Sequence, residues 1–284
     1  MFLSDTPYIF ILVVELLSSR IKKEKDIKGL QLGNLTFLIN QYADDTFLLL
    51  DGSEKSLRKS MEIINMFGSI SGLYLNISKS KAIWLGSKAG STDKICEDLN
   101  ISWTNENFKP LGIKFTNNLN NMIEINYNEK LQSLRKLLGS WTKRDLTPIG
   151  KITIIKSLAI PKLIHLFSSL PNAGKSIINE FEKVFYKFIW SGKPDKIKRL
   201  TLIGSYKKGG LNMIHMPSFI HYMKIKWIKR VHDKPNGSWQ KFLSIVFNIK
   251  TDLEGIWLLN KDKLTELRKR ITNQFWKDVL DSLI

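Results

Sequence analysis

The sequence predicts an α+β fold, with a front part that mixes helices and short antiparallel strands and a remainder that is all helical. Three observations carry this. Residues 35–50, LTFLINQYADDTFLLL, are two apolar runs rich in aromatic and β-branched residues, broken by a polar pair. From about residue 119 onward, apolar residues recur at helical spacing. The charge changes at the same place: residues 1–118 hold 14 Lys and Arg against 13 Asp and Glu, and residues 119–284 hold 30 against 13.

Taken in order, Thr6-Pro7 reads as a cap followed by proline at the first helical position. It opens a helix to about Lys22, with Ile9, Val13, Leu16, Leu17 and Ile21 on overlapping faces, and this apolar girth predicts burial on more than one side. Residues 35–50 read as a β-hairpin with Asp44 and Asp45 at its tip. A helix from about Glu54 to Phe67 carries Leu57, Met61, Ile64 and Phe67, and Gly68 or Gly72 marks its end. Residues 73–86 return to strand alternation, residues 87–100 form a polar loop, and residues 107–116 suggest another short strand pair or hairpin. Together these elements predict helices layered on an antiparallel sheet.

In the second part, Leu131, Leu134, Leu138 and Trp141 form one helical stripe with basic residues on the other faces. Thr147-Pro148 opens the next helix, which carries Ile152, Ile155 and Leu158 up to Pro161. Residues 176–190 form a third, with Phe181, Phe185, Phe188 and Ile189, ended by Gly192. The Gly209-Gly210 pair demands a turn. Helices over residues 218–232 and 259–284 complete the chain. The boundaries expected are 1–118, 119–195 and 196–284.

Composition limits function. With 43% hydrophobic residues and a formal charge of +18 over 284 residues, the chain can build a core and favours a polyanionic partner. The single cysteine, Cys96, excludes an internal disulfide and a cysteine-based zinc site. His165, His215, His221 and His232 lack metal-ligand spacing and read as ordinary surface or core residues. The apolar run from Tyr8 to Leu17 is shorter than the ~20 residues a bilayer requires, so no membrane partner is expected.

Tyr42-Ala43-Asp44-Asp45 carries the strongest chemistry. Adjacent carboxylates at a hairpin tip are hard oxygen ligands suited to Mg²⁺, while an Asp-Asp turn that is merely solvated is the competing reading. The order of motifs extends the signal: Ser71-Gly72-Leu73-Tyr74-Leu75-Asn76, Lys79-Ser80-Lys81, Pro110-Leu111-Gly112-Ile113, Ser140-Trp141, Leu146 to Ile155, Phe188-Ile189-Trp190, Lys208-Gly209-Gly210-Leu211 and Lys226-Trp227-Ile228-Lys229-Arg230. This series resembles the reverse transcriptases of LINE-type (non-LTR) retrotransposons, to about residue 232.

The resemblance implies a right-hand polymerase: a partial palm over residues 1–118, a helical thumb over 119–195 and a basic helical extension over 196–284. Its activity would be RNA-directed DNA synthesis by two-Mg²⁺ nucleotidyl transfer, with an RNA template and a DNA primer as partners. Asp44 matches the metal-ligating aspartate of the family's YxDD box, with Asp45 beside it. Lys79, with Lys81 as the competing choice, falls where a lysine lies near the departing pyrophosphate. Leu111 and Gly112 lie where the family grips the primer, although Pro110 stands in place of the usual tyrosine. A nuclear or cytoplasmic ribonucleoprotein is the setting that the family implies.

The chain begins downstream of the family's other aspartate-bearing palm strand and its fingers. A weak Mg²⁺ site and no polymerisation by this chain alone are therefore expected. Two rival readings are a nucleic-acid-binding module and a retrotransposon relic without activity. For nucleic-acid contact the candidates are Lys130, Arg135, Lys143, Arg144, Lys151, Lys226, Trp227, Lys229 and Arg230. Trp141 and Trp190 continue apolar stripes and read as core.

Overall fold

The first 18-residue helix, α1 (Thr6–Lys23), packs through Leu17 and Ile21 against Met61, Ile63 and Ile64 of α2 (Glu54–Ser71). In this computed structural model, which describes residues 6–104, 108–116, 118–233, 238–247 and 253–284, the chain divides into two units, Met1–Phe108 and Lys109–Ile284. α2 is capped at both ends. The Ser53 hydroxyl accepts from the Ser56 amide, and Gly72 takes the left-handed φ of 75° that lets its N–H reach the Gly68 carbonyl at 2.8 Å.

The expectation that α1 buries more than one side does not hold. Tyr8, Ile9, Ile11, Leu12 and Leu16 are each well over half exposed, and only the end of the helix that carries Leu17 and Ile21 is covered. An apolar pattern states what a helix can bury, and burial itself needs a facing element. Among the described residues, the first turns of α1 have none.

Between the two helices lie β1 (Leu30–Leu32) paired with β2 (Leu35–Phe37) and β3 (Ile39–Tyr42) paired with β4 (Asp45–Leu48), both antiparallel. Among the described residues the strands do not form the single antiparallel layer expected from the sequence. The described strands form three separate two-stranded sheets, and the third, β5 (Lys81–Ala82) with β6 (Ser102–Trp103), is parallel. Residues 73–86 are mostly not a strand because Asn76 draws the chain into a 3₁₀ turn, Ile77–Lys79. Its side chain accepts from the Ser78 hydroxyl at 2.7 Å and the Lys79 amide at 3.2 Å, a local alternative to a strand ladder. The strand pair or hairpin expected over 107–116 is reduced to bridge residues at Phe108 and Phe115 on either side of a 3₁₀ turn, Pro110–Gly112, in which Leu111 and Gly112 hold φ of 49° and 82°, values no strand accommodates. Asn107 lies outside the described residues.

The second unit is helical. α3 (Leu119–Thr142) buries Leu131, Leu134 and Leu138 as their spacing predicts. α4 (Pro148–Ile154) is capped by the Thr147 hydroxyl and runs into a π-helical turn, Ile155–Ala159, before α5 (Pro161–Ser169). Pro161 has no N–H to donate and its ring crowds the preceding turn. The wider turn, closed by the Ile160 amide on the Ile155 carbonyl at 2.9 Å, absorbs the clash, and the axis bends by 47°. α5 lies beyond the Pro161 boundary that the sequence pattern predicts for the preceding helix. Among the described residues no single helix is long and apolar enough to cross a membrane.

α5, α6 (Lys175–Ile189), α7 (Arg199–Ile203) and α8 (Met216–Asp233) complete the main core, which continues past residue 195 to Met223. Tyr127, Phe167 and Phe181 meet at its centre with ring separations of 5.7–6.3 Å. A second apolar cluster joins the end of α8 to α9 (Ser238–Phe247), α10 (Lys261–Arg270) and α11 (Gln274–Asp281). α9 was not expected, and the anticipated helix over 259–284 is broken at Ile271–Asn273.

Lys224 lies where these two clusters meet along α8 and is fully buried. Its ammonium donates to the Phe167 carbonyl at 2.8 Å and to the Leu170 carbonyl, closing the C-terminal end of α5, and sits 4.3 Å from the Phe275 ring centre. Burial pushes its pKa down to about 8, against the partial support of Asp278, whose own carboxyl burial pushes up. Between pH 8 and the ordinary lysine value of 10.5 the unfolded chain binds more protons than the folded one, so stability rises with pH across that window. Denaturant unfolding at a series of pH values should show the wild type gaining about 3 kcal/mol over Lys224→Met across it. Parallel pH curves for the two proteins would contradict this.

Candidate catalytic hairpin and nucleic-acid interface

In the hairpin, Tyr42 pairs with Asp45, leaving Ala43 and Asp44 as a two-residue turn. Such turns favour glycine or asparagine because the backbone enters positive φ. Ala43 nevertheless sits at φ 50°, a conformation that costs a residue with a Cβ about 1 kcal/mol. The register explains how the tip is held. Ile39 and Leu48 face each other on the side packed against Leu17, Ile21, Met61 and Ile64, while Tyr42 and Asp45 share the opposite side with Asn40 and Phe47. Asp44 and Asp45 are both exposed at the end of a strand pair anchored by its other end.

Two adjacent exposed carboxylates suit one hydrated Mg²⁺, which accepts one or two carboxylates and fills its shell with water or phosphate oxygens. They do not suit a pair of ions. Among the described residues no group of three or more His, Cys, Asp or Glu is arranged to hold a metal.

Lys79 is exposed at the end of the Asn76-capped turn, and Ile77 of that turn packs against the same apolar cluster as the hairpin. Lys81 is likewise exposed.

Leu111 and Gly112 belong to the helical unit, where their turn is clamped from three directions. The buried Asn126 side chain accepts from the Lys114 amide at 2.9 Å and donates to the Lys114 carbonyl at 2.8 Å. Glu129 pairs with Lys109 at 2.6 Å and Lys114 at 3.1 Å, and the Lys109 bond above all holds its carboxyl below the usual range. His165 Nε2 donates to the Leu111 carbonyl at 3.1 Å. None of these three holders was singled out from the sequence. A left-handed leucine in a turn anchored at its carbonyl and through its flanking residues is a form of strain found at functional turns.

The basic candidates separate into distinct roles. Lys143 and Arg144 are exposed at the end of α3, with the Arg144 guanidinium 4.1 Å from the Trp141 ring centre. Lys226, Lys229 and Arg230 are exposed on α8. Lys130 is half-buried, and Arg135 is paired with Glu180 at 3.0 Å. Lys151 does not face solvent: it is buried, and its ammonium donates to the Ser191 hydroxyl at 2.5 Å and the Ile189 carbonyl at 3.3 Å, closing the end of α6.

Trp227 is not a free stacking platform. Its indole N–H donates to the Ser168 carbonyl at 2.7 Å, and its ring makes edge contacts of 5.6–5.9 Å with Trp239, Phe275 and Trp276. The signals for burial were present in the spacing. Lys224 falls between Ile220 and Ile228 at i and i+4 intervals, and Lys151 lies one turn before Ile155.

The strain at Ala43 has a measurable consequence. Ala43→Gly should raise hydrogen-exchange protection of the Asn40 and Phe47 amides, which face each other across the ladder, about fivefold, equivalent to about 1 kcal/mol, and Ala43→Val should lower it. Equal protection in the two variants would show that the turn is unstrained.

A comparison with protein-family models finds none that matches this chain.

Proposed function

We propose that this chain is reverse-transcriptase polypeptide of the LINE type. In this reading the first unit carries the carboxylate hairpin of a right-hand palm, and the helical unit acts as a thumb with a basic extension that holds an RNA template and a DNA primer. The observation that carries the reading is the hairpin: Tyr42-Ala43-Asp44-Asp45 stands as a strained two-residue turn that projects two neighbouring carboxylates clear of the core. The charge supports it. The first unit holds 12 Lys and Arg against 13 Asp and Glu, whereas Lys109–Ile284 holds 32 against 13.

Each part has a physical task. Asp44 and Asp45 would hold Mg²⁺, which when bound neutralises charge on the reacting phosphates. Lys79, on its capped turn, is free to meet a phosphate leaving group. The Pro110–Gly112 turn, clamped by Asn126, Glu129 and His165, offers a fixed surface for a primer strand. Lys143, Arg144, Lys226, Lys229 and Arg230 supply exposed positive charge for the phosphate backbone.

Two carboxylates without a third ligand bind Mg²⁺ weakly, so the chain alone is expected to give no dTTP incorporation on poly(rA)/oligo(dT) with Mg²⁺. Incorporation abolished by Asp44→Asn would overturn the expected inactivity and establish polymerase chemistry on the hairpin.

A second reading, a nucleic-acid-binding module, is favoured by the excess of 19 positive charges in the helical unit. Both readings require binding governed by phosphate contacts. The affinity for an RNA–DNA duplex should fall by at least tenfold between 50 and 200 mM salt, the direction that counterion release dictates. Salt-independent affinity, measured by fluorescence anisotropy, would remove both.

A further inference from the structure

The Lys207-Lys208-Gly209-Gly210-Leu211 segment forms a loop closed tightly at its base. α7 ends at Ile203, and the chain then leaves and returns through a loop whose two feet touch. The Gly210 amide donates to the Ser205 carbonyl at 2.9 Å, the Asn212 amide to the Gly204 carbonyl at 2.9 Å, and the Leu211 and Met213 amides to the Leu202 carbonyl at 3.0 and 2.9 Å. The feet are so close that a Cβ on Gly210 would lie 2.0 Å from the Gly204 oxygen, so only glycine fits. Leu202 and Met213, both almost fully buried in the main core, fix each side.

A pinched base of this kind holds the tip in place, and the tip is Tyr206-Lys207-Lys208. Tyr206 is 56% exposed although it is part of a closed 3₁₀ turn that Gly209 terminates at φ 73°. Arg199 nearby is taken up by Asp195 at 2.8 Å and Glu182 at 4.0 Å. Lys193, Lys196, Lys198, Lys207 and Lys208 are all exposed and enter no ion pair among the described residues. An exposed aromatic side chain on a loop pinned at its base, followed in sequence by two unpaired lysines, combines the two features that bind an unpaired nucleic-acid strand: a ring for a base and cations for the neighbouring phosphates.

We propose that the Gly204–Gly210 loop is a contact site for single-stranded nucleic acid, with Tyr206 stacking on a base and Lys207 and Lys208 meeting the adjoining phosphates. The proposal rests on the nucleic-acid reading above and adds a site and a strand preference to it. Because the loop is preformed, little conformational entropy is lost on binding. A duplex, with its bases already stacked, can use the lysines and not the ring.

The test uses the whole chain and three probes: oligo(dT), a DNA duplex of the same length and inorganic polyphosphate. Tyr206→Ala should weaken oligo(dT) binding about tenfold while leaving duplex and polyphosphate within twofold, and Tyr206→Phe should retain wild-type affinity. The Lys207→Ala/Lys208→Ala pair should reduce the slope of log K against log salt for oligo(dT) by about 1.4. Unchanged oligo(dT) affinity in Tyr206→Ala overturns the proposal and leaves the general reading intact. Equal weakening of all three probes also overturns it, because the loop is then a plain polyanion contact. If the wild-type chain binds none of the probes, the nucleic-acid reading fails with it.

Discussion

The C-terminal end of α5 presents carbonyl groups to a dry interior, and the helices around it meet at a buried cation that satisfies two of them. Lys224 reaches two of these carbonyls from the middle of α8, at the point where the main aromatic core gives way to the tryptophan cluster. An ammonium in that position is costly to desolvate, yet without it the carbonyls would be left without partners. Asp278 on α11 completes the arrangement by accepting from the Asn172 amide at 2.6 Å and the Gln274 side chain at 2.9 Å. The loop after α5, the centre of α8 and the last helix are thereby tied by polar bonds inside an apolar surround, which fixes their register more tightly than apolar packing alone would.

Lys151 repeats the device at the end of α6. In both places a lysine that composition would count toward a nucleic-acid surface is instead committed to helix carbonyls. Positive charge in the helical unit therefore has two uses: a few buried groups close helices, and the many exposed ones generate the field. A net charge describes the field and says nothing about which ammonium belongs to which use.

Backbone strain marks the other places of interest. Ala43 and Leu111 hold positive φ without being glycine, one beneath the paired carboxylates and the other in a turn clamped by Asn126, Glu129 and His165. In each case the surroundings over-determine the conformation, by a strand register in the first and by three polar anchors in the second. The Gly204–Gly210 pinch obtains rigidity differently, through a backbone approach that no side chain permits.

Local signals in the sequence determined the hairpin with its carboxylates, the glycine end of α2, the Thr147-Pro148 start of α4, the leucine stripe of α3 and the phenylalanine face of α6. Each depends on neighbours within a turn or a strand pair. What only the tertiary structure decided depends on partners distant in the chain: the exposure of the first turns of α1, which meet no facing element among the described residues; the helix ends that Lys151 and Lys224 close; and the conversion of Trp227 from a candidate surface ring into the hub of a cluster. Periodicity records which face of an element is apolar. Whether that face is covered, and whether a lysine on its border turns inward, depends on carbonyls and rings supplied by other elements, and that information is not local.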